Sequence, residues 1–211
     1  IAPYSKAEEF ANTITHGFGT LLAIVGLYFL AVEANLTGDY WKIGSSITFG
    51  LCMITCYLCS TLYHAVSNLE MKHRMRIADH IGIYLMIAGS YTPFVLVTMH
   101  GWIGWTFFVL IWGCAITGIV ARVLNRNIPE YVSATPYVIM GWLNIIAIKP
   151  LFDSLGWEGK NLILLGGIFY SIGVRFYRAD NFPFNHAIWH LFVLAGSIAH
   201  YFAILNCVIQ G

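Results

Sequence analysis

The charge pattern divides this chain into long apolar runs separated by short polar breaks. No Asp, Glu, Lys or Arg lies between Asn12 and Val32, 21 residues, or between Ile43 and Leu69, 27 residues. The next run, His80 to Ala121, is 42 residues long and holds two spans. They divide at Met99-His100-Gly101-Trp102, where a glycine makes a turn cheap. Tyr131 to Ile148 predicts a fifth span, ending near Lys149-Pro150. Asn161 to Tyr177 predicts a sixth, with Arg175 placed to snorkel to the interface. The last run, from Asn181 to Gly211, contains a seventh span from about His186. About 20 apolar residues suffice for a helix to cross a bilayer. Continuous rather than alternating apolar runs point to helices, not to the strands of a barrel. The pattern predicts an all-α polytopic membrane protein whose seven transmembrane helices form a single domain over residues 1–211.

Composition agrees. The chain is 58% hydrophobic and 10% charged, against about 25% charged residues in soluble domains. That argues against a soluble enzyme. A formal net charge of +1 excludes a strongly basic nucleic-acid binder. The five cysteines lack the paired spacing of a disulfide scaffold. The chain begins at Ile1 rather than Met, so further residues are expected before it. The first apolar run is too long for a cleavable signal peptide.

The basic residues predict an orientation. With seven spans the termini lie on opposite sides. Lys6, Lys72, Arg74, Arg76, Arg122, Arg126, Arg175 and Arg178 fall on one side, and Lys42, Lys149 and Lys160 on the other. The first side is predicted to be cytoplasmic, with the N-terminus inside and the C-terminus outside. Trp41, Trp102, Trp105 and Trp157 fall near outer span ends, as an interfacial aromatic belt requires.

The same parity gathers the polar residues. The start of an odd span and the end of an even span share a side. Glu9, Asn12 and His16 open span one, Ser60 and His64 close span two, Asp79 opens span three, and His186 and His190 open span seven. Within each helix the spacings agree: His186/His190 and Ser60/His64 are i, i+4, and Glu9/Asn12/His16 follow i, i+3, i+7, so each set shares one face. Two imidazoles one turn apart, with a third from another helix, make a three-nitrogen zinc site with a fourth position open. Asp79 is the candidate to orient a water and take its proton. Ser60 could donate to a developing oxyanion. A proton relay, or a polar network that positions the helices, remains the alternative.

Other polar residues read as structural. His80 points to another face than Asp79 and is expected at an interface. His200 lies ten residues beyond His190, about 15 Å along the axis, and cannot share a metal with it; helix packing is the expectation, with a proton path left open. His73 in the loop Lys72–Arg76 and His100 in an outer turn are expected to be solvated. Cys52, Cys56, Ser60 and His64 form one i+4 row, in which Cys56 reads as a small residue permitting close helix contact. Gly166 with Gly173, and Gly113 with Gly118, read as packing residues. Pro93 and Pro136 are expected to kink spans three and five and so to open an internal cavity.

Taken jointly, E-x2-N-x3-H at Glu9-Asn12-His16, S-x3-H at Ser60-His64, Asp79, and H-x3-H at His186-His190 resemble the hemolysin III group of the progestin and adipoQ receptor superfamily, which is related to the alkaline ceramidases. The stretches Asn185-His186-Ala187-Ile188-Trp189-His190 and Ser60-Thr61-Leu62-Tyr63-His64 resemble bacterial members in particular. The resemblance runs from Glu9 to about Leu205. It implies zinc held by His64, His186 and His190, Asp79 as partner of the water, and Ser60, Glu9, Asn12 and His16 as outer support. It also implies a bacterial inner membrane and a membrane lipid or fatty acid as substrate or ligand, with a lipid amide or ester as the hydrolysed bond. The alternative is a receptor-like or regulatory membrane protein with a structural zinc. A transporter or channel is disfavoured, since no inverted repeat and no charge deep within a span is apparent.

Overall fold

Polar residues at the breaks set the helix ends. The computed structural model describes residues 4–125, 130–146, 148–178 and 182–211. Ser5 opens helix α1 (Lys6–Thr37) with a capping box: its hydroxyl accepts from the Glu8 amide, and the Glu8 carboxylate accepts from the Ser5 amide. Gly38 ends the helix in a left-handed conformation at φ 68°. Asp39 at once caps α2 (Tyr40–Ala65), accepting from the amides of Trp41 and Lys42. So tight a link makes α1 and α2 an antiparallel pair. Asn68 caps α3 (Leu69–Pro93) through the Met71 amide. Then follow α4 (Gly101–Leu124), α5 (Glu130–Gly141), α6 (Ile148–Ser154), α7 (Trp157–Tyr177) and α8 (Asn185–Ile204). No strand occurs among the described residues.

Among the described residues, five helical stretches are long and apolar enough to cross a membrane: Lys6–Thr37, Tyr40–Ala65, Leu69–Thr98, Gly101–Leu124 and Asn185–Ile209. The expected fifth span is not one helix. After Gly141 the Trp142 amide is shared between the carbonyls of Val138 and Ile139, and the chain tightens into a 3₁₀ turn at Leu143–Ile145 before α6 begins. Pro150 sits in the first turn of α6, where its missing N–H costs nothing. The expected loop at Lys72–Arg76 is also corrected. The Asn68 cap starts α3 early, so Lys72 and His73 are helical and Lys72 is buried. Arg126, on the basic side of the expected topology, and Asn181, where the last apolar run begins, lie outside the described residues.

At Pro93 the ladder loses a donor, and the next residues, Phe94–Thr98, continue as a π segment in which the Met99 amide reaches the Phe94 carbonyl at 2.8 Å. Small residues set the closest approach of α2 and α3. A Cβ on Gly82 would lie 2.8 Å from the Cα of Cys56, and one on Gly89 would lie 2.6 Å from the Cβ of Cys52. This row at the α2–α3 seam leads along α2 to His64. One apolar cluster joins α1, α2, α7 and α8 through Leu30, Phe49, Met53, Tyr57, Ile163 and Ile204. A second joins α3, α4 and α5 through Tyr84, Tyr91, Ile111 and Met140. Outside these, Phe18, Leu21, Val109 and Ile116 stay exposed, an outer surface suited to hydrocarbon rather than water.

Candidate metal centre

Three imidazoles converge where the end of α2 meets the start of α8. One ligand-capable nitrogen from each of His64, His186 and His190 lies within 4.8 Å of the other two. All three residues are buried. The i, i+4 pair on α8 supplies two rings, and the antiparallel run of α2 brings His64 to the same level.

Each ring is held through Nδ1. The Glu9 carboxylate lies 2.7 Å from His64 Nδ1. Since a carboxylate accepts, Nδ1 of His64 carries the proton. Thr15 lies 3.0 Å from His190 Nδ1, while its own hydroxyl proton is directed at the Ala11 and Asn12 carbonyls of its helix. Its oxygen therefore accepts from His190. The Tyr4 hydroxyl lies 3.0 Å from His186 Nδ1. The opposite nitrogens, Nε2 of His64, His186 and His190, are buried and have no hydrogen-bond partner among the described residues. Buried polar atoms are normally satisfied. Three buried, unpartnered ring nitrogens in one cluster, each on an imidazole held by a partner at its other nitrogen, form a donor set that fits zinc. This triple histidine site can hold a metal ion.

The other expected residues are placed as follows. Asn12 is fully buried, with its amide nitrogen 3.4 Å from His64 Nδ1. His16 stacks on His190 but makes no hydrogen bond to it. Asp79 is buried and lines a small cavity with His186, Tyr4, Tyr63 and Arg76. Ser60 is buried one turn from His64, its hydroxyl without a partner among the described residues, and it lines neither cavity. His80 pairs with the Tyr137 hydroxyl at 3.1 Å. His200 packs its ring edge directly on Gly166.

Three partners escaped the sequence reading: Tyr4, Thr15 and Lys72. Thr15 follows Asn12 at i+3, a spacing that could have disclosed it. Lys72 Nζ lies 2.7 Å from the second oxygen of Glu9, and the Asn68 cap that buries it was the available signal. Tyr4 precedes the helix, where periodicity says nothing.

Beside the cluster opens an apolar cavity of about 270 Å³. His16 and Asp79 stand at its histidine end, and Leu151 and Phe152 of α6 also line it. Along α8 its wall runs from Trp189 to His200, roughly 16 Å of helix rise. Asp79, Tyr177 and Trp189 border both this chamber and the small polar cavity.

Known proteins resemble this chain along nearly its whole length. The profile of the family described as "Haemolysin-III related" matches residues 4–201. The chain is 46% identical over 202 residues to the "Hemolysin-3 homolog" of Bacillus subtilis (strain 168), covering 96% of this chain and 95% of that protein. It is 44% identical over 202 residues to "Hemolysin-3" of Bacillus cereus, covering 96% and 92%. The human "Monocyte to macrophage differentiation factor" is 30% identical over 203 residues, covering 93% and 83%.

Proposed function

The chain belongs to the haemolysin-III-related family, and from that premise we propose that it is a zinc-binding integral membrane protein that hydrolyses an amide or ester bond of a membrane lipid. One observation carries the reading: three buried imidazoles, each with an Nε2 that has no hydrogen-bond partner among the described residues, cluster beside an apolar chamber. Three imidazoles with no fourth protein ligand among the described residues match the open coordination of catalytic rather than structural zinc. In this reading His64, His186 and His190 hold the ion. Bound there, zinc supplies Lewis acidity and lowers the pKa of water at the site. Asp79, on the border between the chamber and the polar cavity, accepts the proton. Ser60, one turn from His64 and lining neither cavity, supports the helix end that carries this ligand. Glu9, Thr15 and Tyr4 hold the three rings in the tautomer that ligation needs. The chamber holds the acyl chain of the lipid and keeps water from it.

Seven crossings are part of the same proposal. α5, the 3₁₀ turn and α6 together make the fifth. α7, with 21 residues or roughly 31 Å of rise, matches a hydrocarbon core of about 30 Å and makes the sixth. The site then lies at the cytoplasmic end of the bundle, in a bacterial inner membrane.

The test is metal analysis joined to a lipid screen. Purified chain should carry about one zinc, and replacing His186 and His190 together by Ala should remove it. Full zinc content in the double variant overturns the metal site. Zinc-loaded protein that cleaves nothing in a panel of amide and ester lipids overturns the hydrolase in favour of a regulatory membrane protein with a structural ion.

A further inference from the structure

Lys72 is 6% exposed, which a lysine seldom is without a partner of opposite charge. Its ammonium lies 2.7 Å from Glu9 Oε1. It also donates to the carbonyls of Tyr63 at 3.1 Å and Val66 at 3.3 Å. Those carbonyls belong to the end of α2, the helix that carries His64, where the last turn leaves acceptors unsatisfied. The other oxygen of Glu9, Oε2, takes the Nδ1 proton of His64 at 2.7 Å. Lysine, carboxylate and imidazole thus form one chain that crosses α3, α1 and α2 and ends at an Nε2 with no hydrogen-bond partner among the described residues.

We propose that Lys72 is a positioning residue for the metal centre, fixing the Glu9 carboxylate and the end of α2 so that Nε2 of His64 points at the ion. The inference rests on the reading of His64 as a metal ligand. A carboxylate with one oxygen on an imidazole has a second oxygen to satisfy. Glu9 is 19% exposed at its side chain, so without Lys72 water competes for the carboxylate and pulls it off the ring. His64 then regains rotational freedom and the other tautomer. Outer partners of this kind contribute about 10–100-fold to metal affinity. A buried ion pair is by itself weak evidence for stability, and the position of this one, linked to a ligand, supplies its purpose.

The test is a double-mutant cycle read as zinc affinity by chelator competition on the purified full chain, with melting of the metal-free protein followed in parallel. Lys72→Gln can still donate to the Tyr63 and Val66 carbonyls but lacks the charge that holds Glu9. It should weaken zinc about 10–100-fold with little change in melting. Glu9→Gln should weaken zinc similarly. The two together should be no worse than Glu9→Gln alone, because both remove one linkage. Lys72→Arg, which keeps the charge, should recover part of the affinity. Unchanged zinc affinity in Lys72→Gln, or losses that simply add, overturn the proposal. A wild-type chain that takes up no zinc overturns the metal reading instead, so the two failures are distinct.

Discussion

His16 lies flat on His190, ring centroids 3.5 Å apart and planes 12° from parallel. Tyr57 meets His16 edge-on, ring centroids 5.0 Å apart. Neither nitrogen of His16 has a hydrogen-bond partner among the described residues, so ring contact is what holds it against the ligand histidine, and it also lines the apolar chamber. Shape and hydrogen-bonding capacity should therefore separate. His16→Phe keeps a flat ring on His190 and should hold zinc within a few-fold of wild type. His16→Ala loses a stack worth about 0.5–1.5 kcal/mol, or roughly 2- to 10-fold in affinity. Chelator competition checks both, and equal weakening by Phe and Ala would show that the nitrogens, not the ring face, support the site.

The three convergent histidines were legible because two independent regularities agree on them. The i, i+4 spacing puts His186 and His190 on one face, and span parity brings His64 to the same end. Glu9 and Asn12 followed from the spacing on α1. Lys72 was hidden because a basic cluster next to a span already has a reason to exist in setting orientation, and only the Asn68 cap places it inside the helix. The break after Gly141 was hidden for another reason. Counting charge-free residues measures hydrocarbon compatibility, and a 3₁₀ turn at Leu143–Ile145 changes the backbone without adding a charge. Tyr4 contacts His186 from outside any helix, across 182 positions of sequence, and no local pattern encodes such a pairing.

The orientation makes a prediction that needs no metal. Trp41, Trp102 and Trp157 are all exposed at the starts of α2, α4 and α7, the end opposite the histidines. Interfacial tryptophans mark both membrane surfaces, so the basic residues decide which surface is which. A reporter fused after Gly211 that works only outside the cytoplasm should be active, and a cytoplasmic reporter there should be silent. The reverse pattern would move the histidine cluster to the outer leaflet.

The chamber can be filled without disturbing the ligands. Gly167 lines it, and a Cβ built there meets no atom within 4 Å. Phe at this position on α7 should project into open space, and a glycine lost from a helix interior costs the helix nothing. Gly167→Phe should therefore fold, bind zinc as wild type does, and carry less co-purified lipid, measured by mass spectrometry of an organic extract. Unchanged lipid content would mean that the chamber is not where the acyl chain sits.

Asp79 should matter for turnover more than for metal binding. It is not one of the three clustered ligands, and it lines both the apolar chamber and the polar cavity that His186 borders. A carboxylate at that boundary is placed to meet a water arriving from the polar side and an acyl group lying in the apolar one. Removing a general base typically costs about 10²–10⁴ in rate. Loss of an outer partner weakens a metal by about 10–100-fold. Asn keeps the size and one hydrogen-bonding oxygen of Asp while removing the charge, so a folding defect is a poor explanation for lost activity. Asp79→Asn should then be fully loaded at saturating zinc while its hydrolysis of any lipid the wild type cleaves falls by at least about a hundredfold. Zinc content by elemental analysis and product release on the same sample separate the two effects. An Asp79→Asn variant that holds zinc and cleaves at the wild-type rate leaves the hydrolase standing but takes the proton from some other base.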